Sequence, residues 1–382
     1  MKFKQVAHTI SFLLLVRSGQ SLLEERFVSF EPSASNGTQV RITNAAVIIA
    51  DDDFVGVRIA ADGLANDLGQ ITGRVRDVRK LSATQGFNVT LQGADDAIIA
   101  GSANSSIIRH LVANGALNIS EIEGKWETFK TTVVLNPLPG VTRALVIAGS
   151  DKRATIFGIY TLSEQSGQSP YHWFADVPAK QHSEIYALAK TSIHGEPSVK
   201  YRGLFINDEE PGLNTWWARA HNASRYPLDT EFYAHVFDLL LRLKANYLWP
   251  AMWKSWTPGP GNVFFTDDPK NQQLADDYGI VVSTAHHEPM QRATNEWDET
   301  KTGPWDWSKN KANMTEFMDE GVRRAGNNES YFTMGLRGLG DEALANIQTA
   351  LPVLEDVFSV QRDIIKKYHG SETAVPRKYS WE

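Results

Sequence analysis

The fold is decided by residues 230–253, which read TEFYAHVFDLLLRLKANYLWPAMW. Apolar side chains recur at helical spacing in the first part, on a face formed by Val236, Leu239, Leu240 and Leu243. This spacing predicts a helix over residues 230–245. Residues 247–253 follow directly, and their apolar and aromatic character is typical of a buried strand. The segment is therefore a helix that leads into a strand.

The same alternation continues on both sides of this segment. Strand-like runs occur at 203–208, 280–286 and 331–336, and helical patterns occur at 269–278 and 310–325. Strands that alternate with helices at this spacing indicate right-handed βαβ units and a parallel sheet. A complete (β/α)8 barrel needs about 250 residues, which is more than the region from residue 200 provides. We therefore expect residues 200–382 to form the first half of a (β/α)8 TIM barrel.

An α/β domain is predicted to precede this half-barrel, over residues 22–177. Apolar runs at 45–50, 97–101 and 144–149 are each followed by a helical pattern, which indicates strand-then-helix units. The acidic run 51–53 is expected to cap the first of these helices. Glycines end two of the strands, where they either favour an anion at a helix start or allow close packing. Residues 178–199 are polar and contain Pro, and we interpret them as a linker.

The first 21 residues indicate secretion. A basic start, an apolar stretch and a small-residue segment follow one another, as in a signal peptide, and the apolar stretch is too short to span a membrane. An amphipathic N-terminal helix is the alternative. Seven Asn-X-Ser/Thr triplets favour a secreted glycoprotein; they begin at Asn36, Asn88, Asn104, Asn118, Asn222, Asn313 and Asn328.

The composition excludes several classes of function. A net charge of −7 leaves no basic surface for nucleic acid. The chain has no cysteine, which excludes disulfides, thiolate zinc sites and cysteine nucleophiles. Beyond the N-terminal segment no apolar run reaches the about 18 residues of a membrane helix. We expect neither a nucleic-acid partner nor a membrane partner, and no cofactor.

Each predicted barrel strand ends in polar or aromatic side chains. These groups are 207–210, 249–253, 286–288 and 337–342. The C-terminal ends of the strands of a (β/α)8 barrel gather at one face and form the active site. The sequence therefore predicts that four separate segments converge on one site.

Carboxyl groups at these strand ends are candidates for acid-base chemistry. Asp208 and Asp341 are the two that we expect to be catalytic, because a pair of carboxyls across a pocket is the minimum for glycoside hydrolysis. Glu210 and Glu342 are placed equally well to cap the next helices. An ion pair with Asp341 is the alternative role for Arg337.

The remaining strand-end residues suit an acidic sugar. Trp249 offers a flat apolar face on which a pyranose can stack, although a tryptophan cluster is also typical of a core. Arg337, with His286 and His287, supplies donors for a carboxylate. Adjacent histidines on a strand point to opposite faces, so we expect substrate binding and no metal.

The segments RGLFINDEEP, LLLRLKANYLWPAMW, LADDYGIVVSTAHHEPM and MGLRGLGDE, preceded by GSDKRATIFGIYTLSEQSGQSPYHWFADVP, resemble glycoside hydrolase family 115 over residues 145–345. The resemblance implies an inverting xylan α-1,2-glucuronidase that removes glucuronic or 4-O-methylglucuronic acid, with glucuronoxylan or a glucuronic-acid-bearing oligosaccharide as partner. It also implies a (β/α)8 catalytic barrel and a preceding domain like domain 2 of family 20 hexosaminidases.

Residue by residue, the resemblance places the family's site on this sequence. Its INDE segment corresponds to residues 206–209, so that Asn207 and Glu209 are expected at the substrate. Its HHEP segment adds Glu288 beside the two histidines, and its RGxGD segment corresponds to Arg337 and Asp341. Members of the family continue well beyond this length. We therefore expect a truncated chain that releases no sugar by itself, and the alternatives are a fragment that only binds carbohydrate or a family 20-like hexosaminidase.

Overall fold

The protein is a mixed α/β structure. The computed structural model describes residues 25–32, 38–74, 77–91, 96–207, 212–224, 226–253, 263–340, 342–344 and 347–371. The predicted signal segment, residues 1–21, lies outside these ranges. Within the described residues, no helix combines the length and the apolar character needed to cross a membrane.

A six-stranded sheet organises the N-terminal part. Its strands, in their order across the sheet, are β4 (Val78–Leu81), β3 (Ala46–Ala50), β5 (Asp96–Ser102), β7 (Val141–Gly149), β6 (Phe129–Leu138) and β9 (Ser192–His194). The first four run parallel, whereas β6 and β9 are antiparallel to their neighbours. The three predicted apolar runs form the centre of the sheet because strands buried on both faces need apolar side chains throughout.

Helices cover both faces of this sheet. Helices α1 (Val55–Thr72) and α3 (Lys152–Ser166) contact each other on one face, and α2 (Ser106–Ala113) lies on the other. Each face of the sheet therefore has its own apolar core. Successive side chains of β3 pack into different cores, since Val47 packs with α1 and Ile48 packs with α2.

Contrary to the prediction, the acidic run 51–53 does not cap α1. The N-cap is Phe54, which makes no side-chain cap hydrogen bond. Asp53 instead accepts hydrogen bonds from the backbone N and the Oγ of Ser102, at 2.8 and 2.9 Å. A Cβ at Gly101 would come within 2.6 Å of the Ser105 Oγ. The glycine is thus explained by close packing, and a carboxylate of the chain itself already binds at this turn.

The segment predicted as a linker contributes strands to the N-terminal part. Strand β8 (Tyr186–Ala187) pairs with β1 (Val28–Ser29) and β2 (Val40–Arg41) in a small antiparallel sheet. Strand β9, a few residues later, pairs with β6. The short strand lengths explain the difference from the prediction, because two or three residues show no alternation in the sequence.

The C-terminal half contains a parallel sheet in chain order. Strands β10 (Gly203–Phe205), β11 (Tyr247–Trp249) and β12 (Val281–Val282) lie side by side. A Cβ at Gly203 would meet the Tyr247 carbonyl oxygen at 1.6 Å, so glycine allows the close approach of β10 and β11. The fourth predicted strand forms only a parallel bridge between Val282 and Ser330. The predicted order is confirmed, but the strands are shorter than predicted.

Helices alternate with these strands and continue after β12. They are α4 (Leu213–Ala220), α5 (Thr230–Arg242), α6 (Phe264–Asp267), α7 (Asn271–Tyr278), α8 (Glu299–Thr302), α9 (Trp307–Ala325) and α10 (Ile347–His369). Helix α5 begins at the Asp229 cap, whose side chain accepts from the Phe232 backbone N. Leu243, predicted on its buried face, is exposed because the helix ends one residue earlier.

The two halves share one apolar core. Helices α1 and α3 contact α7 and α5, and residues of both halves belong to one buried cluster. A polar group lies within this interface, where Arg242 of α5 contacts Asp67 of α1 at 2.8 Å and Asp238 at 2.7 Å. Burial by itself lowers the pKa of Arg242, but Asp238 and Asp67 raise that pKa above its usual value. The guanidinium is therefore charged within the interface.

A second polar group lies where β10 and β11 begin. The Glu127 carboxylate, fully buried, accepts from Arg153, Arg202 and Asn246. The donors come from α3, from the residue before β10 and from the residue before β11. Glu127 has a φ of 48°, a conformation that costs about 1 kcal/mol or more outside glycine. The surrounding contacts therefore hold this carboxylate of the N-terminal domain against the second sheet.

Candidate functional site

The structure describes part of the predicted site. Asp208, Glu209 and Asp341 lie outside the described residues, as does Glu210. The described members of the predicted site are Asn207, Trp249, His286, His287, Glu288 and Arg337. Asn207 lies two residues after the end of β10 and is exposed.

Aromatic side chains connect the C-terminal ends of the parallel strands. The ring of Phe205, the last residue of β10, lies 5.3 Å from Trp249, the last residue of β11, and 6.2 Å from Trp253. Trp253 in turn contacts His287 edge-on at 4.0 Å, in the segment after β12. The ends of three strands are thus joined in one aromatic surface. Phe205 was not predicted, although the same strand-end rule that selected Trp249 applies to it.

The two adjacent histidines differ in burial, but they do not point to opposite faces of a strand as predicted, because they lie in a turn after β12. His286 is exposed, whereas His287 is 2% exposed and Glu288 is fully buried. The His287 Nε2 lies 2.7 Å from the Glu288 Oε1, and the two imidazole rings are 4.7 Å apart. His286 is therefore the member of this pair that a ligand can reach directly. The predicted roles of His287 and Glu288 in substrate binding stay predictions.

A strained turn follows this pair. Met290 and Gln291 have φ values of 55° and 60°, a region that residues with side chains rarely adopt. The Gln291 side chain is fully buried, where it donates to the Val282 carbonyl oxygen at 2.9 Å and accepts from Gln272 at 2.8 Å. The Arg324 guanidinium donates to the Gln291 carbonyl oxygen at 2.6 Å. Backbone strain held in this way is common at functional sites.

Arg337 follows the bridge to β12 and is anchored through its backbone. Its carbonyl oxygen accepts from the Trp305 Nε1 at 2.8 Å, and its side chain is half-buried. Four residues earlier, the Thr333 hydroxyl donates to the Thr284 carbonyl oxygen at 2.6 Å. The segment that carries Arg337 is thus attached to the segment that leads to His286. Trp305 was not predicted, since it lies in a loop far from any predicted strand end.

A cleft of about 570 Å³ borders the Arg337 segment. Its lining includes Trp305, Trp307, Leu336, Leu339 and Glu342. Such a mixture of aromatic and polar side chains is typical of small-molecule sites. Within the described ranges, no three His, Asp or Glu side chains come together as ligands for a metal ion.

The family assignment rests on the same region. Residues 194–381 match the model of glycosyl hydrolase family 115. The chain belongs to this family. The predicted membership is confirmed, and the matched region of this family 115 chain contains every residue of the predicted site.

One solved structure is similar over most of the chain. It is a family GH115 4-O-methyl-alpha-glucuronidase with specificity for decorated arabinogalactans, with 27% sequence identity and a TM-score of 0.74. The match covers 89% of this family 115 chain and 42% of that chain. The chain therefore spans less than half the length of this relative.

Two further solved structures have much weaker similarity. The chitobiase of Flavobacterium johnsoniae has 11% identity and a TM-score of 0.38, over 89% of this chain and 41% of that chain. An inactive mutant of the exo β-N-acetylglucosaminidase of Vibrio harveyi has 10% identity and a TM-score of 0.38, over 93% and 56%. Likeness at this level supports no conclusion about function. No curated protein matches the chain.

Proposed function

We propose that the whole protein is an inverting α-glucuronidase that removes α-1,2-linked glucuronic or 4-O-methylglucuronic acid from a polysaccharide. The observation that carries the proposal is the aromatic surface at the ends of β10, β11 and β12, since it lies in the region that matches family 115. In this proposal, residues 200–382 form the first half of a (β/α)8 barrel. The preceding domain corresponds to domain 2 of family 20 hexosaminidases.

Two carboxyl groups carry out the chemistry in this proposal. Asp341 and Asp208 are the pair, one protonating the glycosidic oxygen and the other activating a water molecule. Inversion needs carboxyls about 6.5–9.5 Å apart, so that the water fits between one of them and the sugar. Arg337, His286 and Asn207 orient the uronic acid, because a guanidinium binds a carboxylate through two parallel hydrogen bonds. Trp249 stacks on the apolar face of the sugar ring.

The polysaccharide that bears the uronic acid has two candidates. Glucuronoxylan is the substrate that the family resemblance implies. Decorated arabinogalactan is the second candidate, because it is the substrate of the relative with a TM-score of 0.74. In both cases the same terminal sugar enters the site. The difference lies in the neighbouring sugars, for which the cleft of about 570 Å³ beside Arg337 offers space.

The first prediction is that the whole protein releases glucuronic acid from at least one of these two polysaccharides. Both are incubated with the protein side by side, and released sugar is measured by anion-exchange chromatography. Proton NMR during the first minutes should show the β anomer, since inversion of an α linkage forms it first. Release of N-acetylglucosamine from an aryl glycoside would instead indicate a hexosaminidase. Binding of polysaccharide without any release would indicate a carbohydrate-binding fragment.

A second prediction concerns secretion and glycosylation. Among the triplet asparagines that the structure describes, five are exposed, namely Asn88, Asn104, Asn118, Asn222 and Asn313. Glycans need a solvent-exposed acceptor, so we expect several of these sites to be occupied when a eukaryotic host secretes the protein. Intact mass before and after enzymatic deglycosylation measures the effect. An unchanged mass together with a retained Met1 would contradict the proposed secretion.

A further inference from the structure

The segment that carries Arg337 leaves the sheet before it reaches the site. The Tyr331 backbone N donates to the Val282 carbonyl oxygen at 2.9 Å, and the Thr333 carbonyl oxygen accepts from the Met290 backbone N at 2.9 Å. Gly335 then has a φ of 118°, a conformation that favours glycine. The chain therefore changes direction two residues before Arg337.

At this change of direction, a side chain replaces a neighbouring strand. Gln361, fully buried on α10, accepts from the Gly335 backbone N through Oε1 at 2.8 Å. The same amide donates through Nε2 to the Gly335 carbonyl oxygen, also at 2.8 Å. One carboxamide thus pairs both peptide groups of one residue, as an adjacent strand would do. A buried peptide group left without a partner is destabilising, so this contact constrains Gly335.

The residues after Gly335 are fixed as well. Leu336 is 5% exposed and packs in the apolar cluster that contains Val357 and Ile364 of α10. The carbonyl oxygen of Arg337 accepts from Trp305. The backbone at Arg337 is therefore held on one side by α10 and on the other by the Trp305 indole. The direction in which the Arg337 side chain leaves the backbone depends on both contacts.

We propose that Gln361 is a positioning residue that fixes the direction of the Arg337 side chain and thereby sets the affinity for the uronate carboxylate. This inference rests on the proposed function, in which Arg337 binds that carboxylate. Gln361 does not touch the substrate and acts only through the Gly335–Arg337 backbone. A bidentate pair depends on geometry, and a displacement of about 1 Å at such a contact is enough to lower kcat/KM about 100-fold.

The test replaces the amide while it keeps the size of the side chain. Gln361→Met removes both hydrogen bonds to Gly335. We expect KM for a glucuronoside to rise at least about 10-fold with a smaller change in kcat, because the lost contact orients the carboxylate. A neutral glucoside with the same leaving group serves as the comparison. Its KM, if it is hydrolysed slowly, or its inhibition constant, if it is not, should change much less. A merely structural role would affect both sugars equally.

Gln361→Glu supplies a pH-dependent rescue. In its neutral form the introduced carboxyl both accepts and donates, as the amide does, whereas the ionised form only accepts and repels the Gly335 carbonyl oxygen. Burial raises the pKa of such a carboxyl. Affinity for the uronate should therefore be near normal at low pH and fall as the pH rises. The Gln361→Met variant should lack this additional pH dependence.

A matched control exists on α7. Gln273 is exposed, and its amide donates to Asp277 within the same helix at 2.9 Å. The same Gln→Met change at this position should alter neither sugar's KM. The Gln273 variant controls for the chemical change itself, since the Gln273 amide bonds within α7, whereas the Gln361 amide contacts the segment that carries Arg337.

Hydrogen exchange separates failure of this inference from failure of the proposed function. In the protein without substrate, Gln361→Met should raise amide exchange of residues 333–338 at least 10-fold. Unchanged exchange would overturn the inference, and so would faster exchange with an unaltered KM for the glucuronoside. If the unaltered protein has no affinity for glucuronate, the proposed function fails and the positioning role fails with it. The exchange data would then still report whether Gln361 holds Gly335.

Discussion

Asp341→Asn should lower kcat for release of glucuronic acid by about 100- to 10,000-fold, with little change in KM. The carboxyl either donates a proton to the leaving oxygen or removes one from water, and an amide does neither. The described residues on both sides of this position are tied together, since the Gly338 backbone N donates to the Glu342 carbonyl oxygen at 2.9 Å. The substitution should therefore leave the loop in place. Initial rates on glucuronoxylan and on decorated arabinogalactan measure the effect.

The leaving group decides which role Asp341 has. An aryl glucuronoside with an acidic phenol needs no proton donor, so loss of the acid should matter little for this substrate, whereas loss of the base should matter fully. Asp208→Asn should show the opposite pattern. Glu342→Gln is the matched control, because Glu342 is the exposed neighbour of Asp341 and is expected to retain most of the activity. Equal activity of the Asp341 and Glu342 variants would remove Asp341 from the mechanism.

Much of the architecture can be predicted from the sequence because each central strand contains a continuous apolar run. The runs that became β3, β5 and β7 are buried on both faces of a parallel sheet, and only apolar residues fit there. Their helices follow within a few residues, so local spacing is sufficient to find them. The order of β10, β11 and β12 is predictable because helical segments separate these strands at the spacing of βαβ units.

Other elements depend on partners that are distant in sequence. Strand β6 contains Lys130 and two threonines, yet it lies between β7 and β9 as a full antiparallel member of the sheet. The segment 331–336 has the composition of a strand, but Gly335 turns it away from β12. Neither outcome follows from local composition, because tertiary pairing overrides propensity.

The site shows the same limit. The strand-end rule selected Trp249 and His286, but the alternation rule does not hold for His286 and His287, because they lie in a turn after β12 and their rings are 4.7 Å apart. Trp305 and Gln361 were not predictable, because each contacts the Arg337 segment from a distant part of the chain. Residues that position a site through its backbone have no sequence motif, since the backbone they bind is the same in every residue.

Glu127 illustrates how the N-terminal domain supports the sheet that carries the site. Its carboxylate lies 2.7 Å from Arg153 and 2.7 Å from Arg202, and Arg153 contacts Glu329 at 2.7 Å as well. Burial alone lowers the pKa of Arg153, but the Glu329 and Glu127 carboxylates raise it above its usual value. The Arg153 guanidinium therefore stays charged between Glu127 and Glu329, and Glu127 also pairs with Arg202.

Glu127→Ala should reduce the free energy of unfolding by about 3–5 kcal/mol, because it leaves two largely buried guanidinium groups without their shared carboxylate. Glu127→Gln should cost less, since the amide oxygen still accepts one hydrogen bond. Urea unfolding followed by tryptophan fluorescence measures both. Glu123→Ala is the matched control: Glu123 lies in the same loop but is exposed, and its removal should change the free energy of unfolding by no more than about 0.5 kcal/mol. Equal losses for Glu127→Ala and Glu123→Ala would show that the connection between the domains does not depend on this carboxylate.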